Sequence, residues 1–295
     1  MPSRRSRKKG DAPLHPAADA RHNGNEENQQ ITEHEIEDIE ERSSPRTPVI
    51  YEVVRRLGEQ EMERPATSLW WSGLAAGLSI SFSLLAQAIL QVGLPDEPWR
   101  PLITSFGYSV GFIMVVLSRQ QLFTENTITV VLPVMAEFSP RNVGLLARMW
   151  AIVLAANVTG TLFAALFCIF TPVITPELKH AMIDISRHAM LRGDVIEMFL
   201  KGISAGFLIA AMVWLLPSAE AAQIYVIALM TYLIAAGGFA HIVAGSMDAF
   251  MLIANGDLAW QRMILDFFLP VLAGNIVGGT VLFALLSYAQ VMSEI

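Results

Sequence analysis

Of the six histidines in this 295-residue sequence, only His241 stands inside an apolar run; His15, His22 and His34 lie in a charged N-terminal stretch, and His180 and His188 lie between two apolar runs. An ionisable side chain in such surroundings marks a functional position by default. An imidazole there holds an anion when protonated or hydrogen-bonds it when neutral, or else bonds a backbone carbonyl and fixes an irregular turn. The residues before it, Gly237, Gly238, Phe239 and Ala240, break the apolar pattern, and residues 119–126 interrupt an earlier run in the same way. Thr124 in that earlier break offers a small hydroxyl beside freed backbone amides and half-helix ends, groups that bind anions without a full positive charge. Thr124 therefore either meets His241 or caps the half-helix that follows it.

Asn157 and Asn275 each head an Asn-x-x-Gly segment in an apolar run. A buried amide needs partners, and the open backbone of the two breaks supplies them, so both are read as loop supports. Arg148, beside Trp150, draws anions to a vestibule or extends its head to the lipid headgroups. Arg119, Glu125 and Asp248 flank the breaks and are expected to pair among themselves. Trp70, Trp71, Trp99, Trp150 and Trp260 fall near run ends and read as interfacial belt residues. Ser246 lies five residues after His241, but nothing else completes a nucleophilic constellation, so an intramembrane hydrolase is disfavoured. With Cys168 the only cysteine, no internal disulfide or thiolate cluster is possible; no metal-ligand spacing is seen and no cofactor is expected.

The elements that must position these groups are membrane-spanning. The first 67 residues hold 25 of the chain's 47 charged residues, which leaves the remaining 228 lipid-like in composition. Apolar runs near 68–92, 102–117, 145–170, 198–216, 224–236 and 264–286 each approach or exceed the roughly 20 residues that cross a bilayer. A soluble single-core enzyme is excluded, and the net charge of −7 gives no footprint for nucleic acid. Residues 1–46 are expected to be a disordered charged tail open to a soluble partner, 47–66 an amphipathic helix against the membrane or a neighbouring subunit, and 67–295 a six-span channel domain. Thr47 and Pro48 suit its start, and Ile50, Val53, Val54 and Leu57 recur at helical spacing.

Thr124 lies 33 residues before Asn157 and His241 lies 34 before Asn275. That self-similarity predicts two three-span repeats with spans 2 and 5 broken, and an odd number of spans per repeat makes the second copy inverted. Paired broken helices in an inverted repeat point to a central solute site. The basic cluster Arg46, Arg55, Arg56 and Arg64 before the first span puts both termini in the cytoplasm.

Taken in order, Leu122-Phe123-Thr124, Arg148-Met149-Trp150 with Asn157, Gly238-Phe239-Ala240-His241, and Gly274-Asn275-Ile276-Val277-Gly278-Gly279 resemble the formate/nitrite transporter family. The resemblance covers roughly residues 47–290, and the long charged tail resembles the family's bacterial inner-membrane branch. It implies an all-α, aquaporin-like protomer in a homopentamer, each protomer with its own pore for small monovalent anions such as formate, nitrite or hydrosulfide. Thr124 is then the gating-loop threonine, with Phe123 beside it in the pathway, and His241 the central histidine. Tyr108 and Phe112 form an apolar constriction opposed by Ile234, Arg148 replaces a vestibule lysine, and Asn157 braces the loop. Passage coupled to a proton, or transient neutralisation of the anion, follows from the same resemblance and suits a dry constriction. Ala240, Gly245, Gly206 and Gln121 depart from the family pattern by removing polar or acidic groups near the histidine and loop, which keeps a pore for a neutral solute or water as the alternative.

Overall fold

The computed structural model describes residues 45–191 and 193–294. The tail assigned to 1–46 lies outside the described residues except for its last two positions. Every regular element described is a helix.

Helix α1 (Thr47–Met62) has Arg46 ahead of it and Thr47 and Pro48 in its first turn. Its buried stripe is Tyr51, Val54, Gly58 and Met62, while Val53 and Leu57 remain 40% and 38% exposed. The helix is turned so that Gly58 faces inward, where an added Cβ would lie 1.9 Å from the Thr129 carbonyl oxygen. Backbone contact at that glycine, rather than the richest apolar stripe, sets the rotation, and Val49, Val53 and Leu57 are left facing outward.

Among the described residues, five apolar helical stretches are long enough to cross a membrane: α2 (Ala66–Gly93), α3 (Arg100–Leu117), α5 (Pro140–Phe170), the stretch Val195–Ala236, and α10 (Trp260–Val291). At 1.5 Å per residue the 42 residues of Val195–Ala236 would extend about 63 Å, twice a bilayer core. They fold back at Glu220 (φ 34°) and a 3-10 turn, which separates α7 (Val195–Ala219) from α8 (Gln223–Ala236). Two shorter apolar helices, α4 (Asn126–Ala136) and α9 (Ile242–Asn255), follow α3 and α8 across the two breaks. Between α5 and α7 runs the amphipathic α6 (Pro176–Met190), capped by the Thr175 hydroxyl and packed on α9 and the second half of α2. Two π-helical stretches, Met263–Phe268 and Val277–Ala284, widen α10.

The halves pack alike. α2 lies on α5 and α7 on α10, each crossing at a glycine: a Cβ on Gly77 would sit 2.2 Å from the Asn157 oxygen, and one on Gly206 would sit 2.3 Å from the Asn275 oxygen. Small residues let these backbones approach as closely as membrane helices do. α3 and α8 run antiparallel, with the Phe106 ring stacked on Tyr232 at 4.2 Å and the Ser109 hydroxyl donating to the Ala228 carbonyl at 3.0 Å.

Candidate functional site: the two helix breaks

Both breaks open with the same backbone motif. After α3, Gln120 N–H donates to the Val115 carbonyl and Arg119 N–H to that of Val116; after α8, Phe239 N–H donates to Ile234 and Gly238 N–H to Ala235. This paired closure ends a helix with one residue in the left-handed region, here Arg119 at φ 52° and Gly238 at φ 63°.

Each loop is then held by its asparagine. Phe123 N–H donates to Asn157 Oδ1 at 2.9 Å, while Asn157 Nδ2 donates to the carbonyls of Gly73 and Gln121, both at 2.8 Å. Ile242 N–H donates to Asn275 Oδ1 at 2.9 Å, and Asn275 Nδ2 donates to Gly202 at 2.8 Å and Ala240 at 3.0 Å. One side chain thus ties a loop to its own span and to the first helix of its half, satisfying backbone that has no water to turn to. The bonds also set the register of the repeat: Phe123 matches Ile242, so His241 matches Leu122. The spacing count that paired Thr124 with His241 is two residues off, because it anchored on side-chain chemistry and not on the loop backbone.

Thr124 and His241 meet. Thr124 Oγ1 lies 2.7 Å from His241 Nε2, with Thr124 fully buried and His241 1% exposed. His241 Nδ1 accepts the Ala244 N–H at 3.1 Å and caps α9. A ring that accepts at Nδ1 carries its hydrogen at Nε2 in the neutral form, so it donates to Thr124 Oγ1 and leaves the Thr124 hydroxyl hydrogen free to donate elsewhere. A second ring proton at Nδ1 would confront the Ala244 N–H, so the geometry is that of a neutral imidazole. His241 bonds an amide rather than a backbone carbonyl, and Thr124 does not cap α4: its carbonyl receives the Thr127 hydroxyl at 2.7 Å instead.

Aromatic side chains close around this pair. Phe112, fully buried, presents an edge to the His241 ring at 5.0 Å, and half-buried Tyr108 packs on Phe112 at 5.1 Å. Phe123 packs edge-on against Trp150 at 5.7 Å, and Trp150 Nε1 donates to the Asn126 carbonyl at 3.1 Å. Trp150 thereby supports the break. Ile234 is fully buried at the end of α8, its carbonyl closing the second break. Arg148 stands apart from the cluster, with Nη2 donating to the Arg64 carbonyl at 3.4 Å.

The expected pairing of Arg119, Glu125 and Asp248 is not seen among the described residues: Asp248 accepts instead from the Ser186 hydroxyl at 2.9 Å. Gln121 is a support that spacing could not have revealed. Its backbone N–H donates to Ser72 Oγ at 3.0 Å, its Nε2 to Glu61 Oε2 at 2.7 Å, and its Oε1 accepts from Asn126 at 3.2 Å. It ties the loop of Thr124 to α1. Among the described residues no group of three or more His, Cys, Asp or Glu is arranged to hold a metal ion.

The sequence model of the formate/nitrite transporter family matches residues 48–289, spanning both breaks and both asparagines. The chain belongs to the formate/nitrite transporter family. Among relatives within it, inner membrane protein YfdC of Escherichia coli (strain K12) is 48% identical over 259 residues, 88% of this chain and 83% of that protein. Formate channel FocA of Haemophilus influenzae is 26% identical over 245 residues, 74% of this chain and 84% of the channel. A solved pentameric formate channel with formate bound matches with TM-score 0.65 and 22% identity, over 77% of this chain and 98% of that one. An FNT family ion channel matches with TM-score 0.69 and 18% identity, over 83% and 98%. The fold is therefore the helical, aquaporin-like fold of the formate/nitrite transporters, a family of transport proteins and not of enzymes.

Proposed function

We propose that this member of the family carries small monovalent anions, or their weak acids, across a bacterial inner membrane, with passage coupled to a proton. In this reading the six spans are α2, α3 with α4, α5, α7, α8 with α9, and α10, arranged as an inverted repeat with both termini cytoplasmic and assembled as a homopentamer. The antiparallel run of α3 and α8, the first halves of the two broken spans, supports the inversion; the likeness to a pentameric formate channel supports the assembly.

The observation that carries the reading is the Thr124 and His241 contact inside an aromatic ring. A solute reaching it has left water, and an anion there needs donors. The Thr124 hydroxyl hydrogen is one, made available because His241 already donates to the same oxygen. Tyr108, Phe112 and Phe123 line the dry constriction with Ile234 opposing them, Asn157 and Asn275 keep the loops in place, and Arg148 draws anions to the mouth on the side of α1. A neutral imidazole attracts no bare anion by charge, which favours entry together with a proton.

The test is flux of formate, nitrite, hydrosulfide and acetate, with glycerol as neutral control, into liposomes carrying purified full-length protein at several pH values. Flux of at least one of the weak acids that rises toward acidic pH is expected. Glycerol flux without anion flux would make the protein a pore for neutral solutes.

A further inference from the structure

Residues Ile242 to Leu252 of α9 are all buried, and the only acidic or basic side chain in that run is Asp248. It lies seven residues after His241, the residue that caps α9, and so about two turns further along the same half-helix. Among the described residues no other Asp, Glu, Lys or Arg is as little exposed, at 9%. A buried carboxyl ordinarily has a cation beside it, and among the described residues none pairs with it.

Its surroundings are otherwise accounted for. Oδ1 accepts from the Ser186 hydroxyl of α6 at 2.9 Å, with Ser186 fully buried. The ionisable groups near Ser186 on α6 are turned elsewhere: Arg187 pairs with Asp184 at 3.3 Å and Asp257 at 2.9 Å, and His188 Nδ1 lies against the Asp184 carbonyl at 3.3 Å. Among the described residues Oδ2 has no hydrogen-bond partner.

We propose that Asp248 is a second station of the pathway, a fixed carboxyl that exchanges a proton with the permeating weak acid on the α6 side of the Thr124 and His241 pair. An anion arriving on the α6 side takes the proton: the Asp248 Oδ2–H bond breaks, an O–H or S–H bond forms on the solute, and the neutral acid passes Thr124 and His241 while Asp248 regains a proton from the water on the α6 side. In the opposite direction the acid's O–H or S–H bond breaks, an O–H bond forms at the charged Asp248 carboxylate, and the anion leaves on the α6 side. The exchange consumes nothing else. A charged Asp248 repels a bare anion and a protonated one donates a hydrogen bond to it, so one residue links anion passage to a proton. Ser186 holds Oδ1 and so presents Oδ2 to the solute.

This inference rests on the weak-acid reading of the pore, and the experiment separates the two. Full-length protein in liposomes loaded with a pH-sensitive dye is given a formate gradient, and formate and proton uptake are followed together. The wild type is expected to take up about one proton per formate; Asp248→Asn, which keeps an acceptor for Ser186, is expected to lose at least tenfold of its formate flux at acidic pH together with the proton signal. Asp248→Glu should restore both. Formate entry with no accompanying proton in the wild type would overturn the assignment of Asp248 whichever variants fold, while leaving the pore itself standing. An Asp248→Asn protein with wild-type flux and proton uptake would also overturn it. Absence of any anion flux from the wild type would overturn both readings.

Discussion

Removing one asparagine brace should cost each half of the protein about the same stability, because the two braces make matching bonds. Asn157→Ala deletes three hydrogen bonds, to the Phe123 N–H and to the Gly73 and Gln121 carbonyls. Polar contacts between membrane helices are worth about 0.6 kcal/mol each on average, or roughly 2 kcal/mol for three. The Phe123 N–H is also left buried and unpartnered, which adds about 1–3 kcal/mol. The expected destabilisation is therefore about 3–5 kcal/mol. Asn275→Ala removes the matching set at Ile242, Gly202 and Ala240 and should fall within about 1 kcal/mol of it by the same reckoning. Equilibrium unfolding of purified protein in mild detergent, followed by tryptophan fluorescence, measures both. A loss below about 1 kcal/mol in either variant, the value of a single net hydrogen bond, would refute the claim that these side chains hold the breaks.

Other consequences follow from particular residues. Arg119 occupies the left-handed position that glycine holds at Gly238; Arg119→Gly should stabilise the protein and Gly238→Ala should destabilise it, each by about 1 kcal/mol in the same unfolding assay. Equal and opposite signs are required, and a destabilising Arg119→Gly would show that the Arg119 side chain matters more than its backbone. On α1, hydrogen bonds from Arg55 and Arg56 lower the Glu52 carboxyl from 4.5 to about 2. Because the folded state binds the proton less tightly than the unfolded one, the contribution of this pair is complete above pH 4.5 and disappears as the pH falls through about 2. The Glu52 carboxyl carbon, followed by NMR, should titrate near 2; a midpoint near 4.5 would mean that the arginines do not hold it.

The sequence carried the fold well wherever chemistry was at odds with lipid. His241 in an apolar run, the two interrupted spans and the two Asn-x-x-Gly segments were all legible, since each places polar groups where hydrocarbon cannot satisfy them. That Thr124 touches His241 was one of two open readings, and spacing alone could not choose between them. Register was less legible. The repeat was anchored two residues off, because the equivalence resides in backbone bonds to Asn157 and Asn275, and those have no signature in side-chain type. The rotation of α1 was also missed: Gly58 steers it by contact with the Thr129 backbone, whereas an apolar-stripe count follows the larger side chains. Gln121 and Ser186 read as ordinary polar residues until their partners, Glu61 and Asp248, were brought near from 60 and 62 positions away.

The pathway stands or falls on the hydroxyl of Thr124. Thr124→Val keeps the shape of the side chain and leaves both asparagine braces untouched, but removes the acceptor of the His241 Nε2 hydrogen and the one free donor at the constriction. Formate flux into liposomes carrying the valine variant, measured at acidic pH beside the wild type, is the direct measurement. The account predicts flux at least about tenfold lower, the order expected for one lost hydrogen bond to a charged group, with the folded state intact by unfolding. Wild-type flux in the valine variant would contradict it and place the solute path elsewhere in the protein.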